Sequence, residues 1–108
     1  MTNAHSNIYT HEQLRAAHAL LKFCIEHNYK SEHLRKIETC ICALETQNIQ
    51  VAIDCYLGVP LGGNGCFNDW WPPVVYEHET EEYVWAIFEA LLSQWSRLMQ
   101  LSIPVVRP

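Results

Sequence analysis

Apolar residues return every three or four positions in four separate stretches of this chain, and that spacing dictates helices more firmly than any other feature dictates anything else. In the first stretch Leu14, Ala17, Leu21 and Ile25 share one face, widened by Leu20 and Cys24. Thr10 and Gln13 ahead of it form a capping-box pattern, which predicts a helix from Thr10 to about Asn28. A second stretch begins at Ser31 and carries Leu34, Ile37, Ile41 and Leu44, with Glu32, Arg35, Lys36, Glu38 and Glu45 opposite. The connection Asn28-Tyr29-Lys30 is short, so the two helices are expected to be antiparallel neighbours.

Asn48 is the expected cap of a third, short helix carrying Ile49, Ala52, Ile53 and Tyr56, with Gly58 as its left-handed C-terminal residue. The β-branched residues of 49–57 leave a strand open there, although strict alternation is missing. Thr80 is the expected cap of the last helix: Glu81 and Glu82 occupy its first turn, followed by Val84, Ile87, Phe88, Leu91, Leu92, Trp95 and Leu98. Pro104 is expected to end it, with the apolar tail Met99 to Val106 packing back on the body. The fold class is therefore all-α, a compact bundle of about four helices in a single domain spanning 1–108. Between the third and fourth helices, from Gly58 to about Glu79, lie all four glycines and three of the five prolines, which predicts a long ordered Gly/Trp/Pro-rich loop.

Charge narrows the classes of function. A formal net charge of -5 disfavours phosphate backbones and anionic lipid surfaces. No apolar run approaches the ~20 residues that span a bilayer, and the first residues lack a secretion core. The expectation is a cytoplasmic protein with neither nucleic-acid nor membrane partners. Five scattered cysteines argue against a disulfide framework; Cys24, Cys40 and Cys55 read as small apolar core residues.

His11 and His18 stand two turns apart and His27 and His33 flank a connection, but no His-x-x-x-His or Cys-x-x-Cys pair occurs. Cys40 and Cys42 point in different directions on a helix. Neither metal nor cofactor is expected. Cys55 or Cys66 working with a histidine keeps a small Cys/His-dependent enzyme as an alternative, since such partners meet in space, but no local motif supports it. Gly62-Gly63-Asn64-Gly65 lacks the Lys-Ser/Thr ending and the preceding strand of a phosphate loop. Gly62, Gly63 and Gly65 are instead read as a structural loop in which Asn68 folds back on main-chain N–H groups.

Two features point to a protein partner. Phe67, Trp70, Trp71, Pro72 and Pro73 concentrate large rings in that loop; Phe67 is assigned to the core and at least one of Trp70 and Trp71 to the surface. Glu77, Glu79, Glu81 and Glu82 then place four carboxylates in six positions. They read either as helix-dipole complementation on a solvated face or as a docking patch for a basic partner. The expected binding residues are Asp69, Trp70, Trp71, Glu77, Glu79, Glu81 and Glu82.

The segment Leu61-Gly62-Gly63-Asn64-Gly65-Cys66-Phe67-Asn68-Asp69, between a short third helix and a long closing one, resembles a Gly-Gly-x-Gly-small-apolar-Asn-Asp mark found in a group of small uncharacterised bacterial helical domains. In that group Met often stands at the place of Asn64 and Ser at that of Cys66, and Trp70-Trp71-Pro72-Pro73 is an addition. Domains of this build are similar to the immunity proteins of interbacterial toxin systems. The resemblance implies a non-enzymatic inhibitor that occludes a cognate toxin, one with a basic surface; a monomer is the favoured state. A structural subunit assembling through Trp85, Trp95 and the apolar tail is the other alternative.

Overall fold

The computed structural model describes residues 7–61 and 75–106, and it is an all-α bundle. Helix α1 is Thr10–Glu26, α2 His33–Glu45, α3 Ile49–Leu57, α4 Glu81–Gln100 and α5 the short Ile103–Val106. Among the described residues no strand occurs, so the 49–57 stretch is helical. The Gly62–Asp69 segment, Trp70, Trp71 and the loop assigned to them lie outside the described residues.

Helix α1 is the central element, packing on α4 along one side and on α2 along another, while α2 carries α3. α1 and α4 run antiparallel: Gln13 of α1 meets Leu98 near the end of α4, and His27 at the other end of α1 meets Glu79 just ahead of α4. The face α1 buries holds Gln13, Ala16, Ala17, Leu20 and Cys24. Leu14 and Leu21 pack at its margin, and Ile25, expected on this face, is 60% exposed. The buried face is thus rotated from the predicted stripe toward Gln13, Ala16, Leu20 and Cys24.

Trp95, Phe88, Leu20, Ile37, Leu44, Ile53 and Met99 fill the core. Each such apolar side chain contributes about 1.5–3 kcal/mol on burial. Trp95 is fully buried, meeting the Tyr56 ring edge-on at 5.2 Å, so it has no surface to offer to self-assembly. Its indole N–H is buried with no hydrogen-bond partner among the described residues. Tyr56 of α3 also joins its hydroxyl to Ser96 Oγ, and Gln100 Nε2 donates to Tyr56 at 3.0 Å, bridging α3 to α4.

The helix ends depart from prediction in instructive ways. Thr10 is the first helical residue of α1 rather than its cap, and its hydroxyl donates to Asn7 O at 2.9 Å. Gln13 does not close a capping box: its Oε1 accepts from the Asn7 side chain, and its Nε2 donates to Leu98 O and Ser102 Oγ. Ser31 acts one residue off as well: its Oγ accepts from His33 N–H at 3.1 Å while Glu32 occupies the cap position.

Gly58 has φ -80°, right-handed and not left-handed. Left-handed residues instead follow α1 and α2, at Asn28 (φ 57°) and Gln47 (φ 61°). In each case a Schellman pair closes the helix. Asn28 N–H donates to Ile25 O and Tyr29 N–H to Cys24 O; Gln47 N–H donates to Leu44 O and Asn48 N–H to Ala43 O. Asn48 then caps α3 as predicted, its side chain accepting from Val51 N–H.

Candidate functional site

Thr80 has an extended backbone, and its hydroxyl oxygen accepts from Tyr83 N–H at 3.1 Å, which sets the start of α4. Glu81 and Glu82 thereby fall in the first turn, both exposed, where the helix dipole favours them. Immediately before, residues 76–79 form a doubly tied turn. Glu79 N–H donates to Tyr76 O at 2.8 Å, and Tyr76 N–H donates to the Glu79 carboxylate at 2.9 Å. The Tyr76 hydroxyl donates to Glu26 O, joining this turn to the last turn of α1.

The Glu79 carboxylate faces inward, with its two oxygens 3.2 and 3.1 Å from His27 Nε2. The other ring nitrogen, Nδ1, is 3.0 Å from Phe23 O. Both side chains of the pair are nearly inaccessible to solvent. The Tyr76 N–H, with help from His27 and His78, holds the Glu79 carboxyl below its ordinary value, against the opposing effect of burial. The His27 ring is flanked by Phe23 at 4.1 Å and Tyr76 at 5.4 Å, and Tyr76 stacks on His78 at 6.4 Å. Glu26, His27, Tyr76, His78 and Glu79 line a shallow hollow of about 340 Å³.

Of the carboxylates expected to meet a partner, Glu77, Glu81 and Glu82 are therefore exposed, while Glu79 is spent inside the molecule. Asp69, Trp70 and Trp71, and the loop residues Gly62, Gly63, Gly65 and Asn68, lie outside the described residues. Sequence reasoning passed over two rings that the structure places among these carboxylates: Tyr76 is 45% exposed and Tyr83 53%. A clue existed for Tyr83, which falls just off the Val84–Phe88–Leu92 stripe of α4. Nothing in the local sequence marks His27 as the partner of a residue 52 positions away.

Among the described residues, three thiols are held protonated by their surroundings, and Cys66 lies outside them. Burial pushes the Cys24 and Cys40 thiols up to about 12, and burial followed by nearby Asp54 raises Cys55. A thiol so raised stays protonated at neutral pH and is a poor nucleophile. Cys42 is exposed on α2. Among the described residues no group of three or more His, Cys, Asp or Glu side chains is placed to hold a metal ion, and no helix is long and apolar enough to cross a membrane. No family model matches the chain, and no curated protein or solved structure matches it.

Proposed function

We propose that this protein is an immunity protein: it binds a cognate bacterial toxin and neutralises it by covering the toxin's active or target-binding surface. The observation that carries this reading is the exposed set Tyr76, Glu77, Glu81, Glu82 and Tyr83, in which two half-exposed tyrosines stand among carboxylates on a backbone tied at both ends. Tyrosine supplies large contact area at low entropic cost, and rings of this type dominate binding hot spots. The carboxylates, on a chain of net charge -5, speed encounter with a basic surface and reject acidic ones. Because the turn and the helix start are already ordered, little conformational entropy is lost on docking. The inhibition is steric and electrostatic, with no bond made or broken by this chain.

The test is co-expression with the toxin-like domain encoded by the neighbouring reading frame. The reading expects relief of toxicity and a one-to-one complex of the purified proteins. It further expects E77K/E82K to slow association at low salt by roughly tenfold and to reduce its salt sensitivity. Undiminished toxicity together with no complex at micromolar concentration would remove the immunity reading. Association kinetics unchanged in E77K/E82K would remove this face from it.

A further inference from the structure

We propose that His27 and Glu79 form a protonation-coupled strap, which holds the 76–79 turn against the end of α1 and weakens when the ring gives up one of its two protons. The argument begins with what each neighbour can do. Phe23 O, 3.0 Å from Nδ1, can only accept a hydrogen bond. An ionised Glu79 carboxylate, 3.1 and 3.2 Å from Nε2, can likewise only accept. Both contacts are hydrogen bonds together only when both ring nitrogens carry protons. A singly protonated ring must leave one lone pair facing an acceptor, either the carbonyl or the carboxylate.

Three features of the geometry suit a ring that donates from both nitrogens. The carboxylate supplies the countercharge, Phe23 O takes the second proton, and the ring sits at the C-cap of α1, the negative end of the helix dipole. Among the described residues, the other titratable groups facing the pair are Glu26 from α1, itself 3.9 Å from Lys22, and Tyr76 and His78 from the turn. None of them replaces the bond between Nε2 and the carboxylate. Glu79 is also the acceptor for Tyr76 N–H, so the charge that binds His27 is the charge that closes the turn.

The turn carries Tyr76 and Glu77. If the proposed binding face is correct, protonation of the strap therefore sets whether that face is presented; the strap itself does not depend on any partner. It is tested on the free full-length chain by imidazole ¹⁵N spectra of His27 from pH 5 to 9. Amide exchange at Tyr76 and Glu79, corrected for intrinsic rates, is followed over the same range. Protection of both amides should fall roughly tenfold, with the midpoint at which His27 loses its imidazolium spectrum, as expected for loss of one charge-assisted bond. The coupling should disappear in H27Q and persist in H78Q. Protection that is level through the His27 titration, or an unchanged pH profile in H27Q, would overturn the strap; the wild-type titration decides even if a variant folds poorly. A strap found in a chain that binds no toxin would leave this inference standing and remove only the binding reading.

Discussion

Gln13 and Ser102 are separated by 89 positions, yet Gln13 Nε2 donates to Ser102 Oγ at 2.9 Å inside the protein. Ser102 Oγ donates in turn to Asn7 Oδ1 at 2.8 Å, and Asn7 Nδ2 donates to Gln13 Oε1, closing a ring of three side chains. The second Gln13 amide proton goes to Leu98 O at 2.8 Å. A fully buried glutamine is tolerated here because each of its polar atoms has a partner.

Removing one member of that ring strands the others. Q13A is expected to destabilise the fold by about 2–3 kcal/mol, measured by urea unfolding, because Asn7, Ser102 and Leu98 O lose partners in a buried setting. Q13A/S102A should cost less than the sum of the two single variants, since the second change removes a group already stranded.

Gln47 holds φ 61° at an exposed position between α2 and α3. A side chain there opposes the left-handed backbone without contributing to the core. Q47G is therefore expected to stabilise the protein by about 0.5–1 kcal/mol, seen as a higher Tm with an unchanged helical spectrum. The same change at a right-handed position such as Thr39 should be destabilising.

Thiol reactivity should follow burial. Cys42 is expected to label with a neutral-pH thiol reagent in the native state, Cys55 more slowly, and Cys24 and Cys40 only after unfolding. Peptide mapping after timed labelling reads the order. Rapid labelling of Cys24 or Cys40 would mean that the bundle opens around α1 and α2 far more readily than its packing implies.

Glu79 makes stability sensitive to acid. Its folded-state value lies below the ordinary 4.5, held there first by Tyr76 N–H, so ionised Glu79 adds stability above about pH 4.5. That contribution is lost as pH falls through the lowered folded-state value. E79Q should be less stable than wild type at neutral pH and converge with it under acid conditions. Parallel stability curves for the two proteins from pH 3 to 7 would contradict this.

Helix positions were readable because local periodicity and capping chemistry act over three or four residues. Asn48 and Thr80 cap as expected, and Ile37, Ile41, Leu44, Val84, Phe88, Leu92 and Trp95 are buried as their spacing implies. The errors fall where a side chain obeys a distant partner. Gln13 looked like half of a capping box but answers Ser102, and Glu79 looked like one of four equivalent surface carboxylates but answers His27. No window of sequence contains such pairs. Gly58 was misread for a different reason: a glycine after a helix permits the left-handed turn without requiring it, while Asn28 and Gln47 adopt it because Schellman bonds hold them there.

The polar ring and the His27–Glu79 contact occupy opposite poles of α1, about 20 Å apart at 1.5 Å per residue. Asn7, ahead of α1, and Ser102, after α4, are stitched together at the pole away from Tyr76 and Tyr83. A fluorophore carried at Leu101, exposed beside that stitch, would stand at the back of the molecule and leave the tyrosines in front unobstructed.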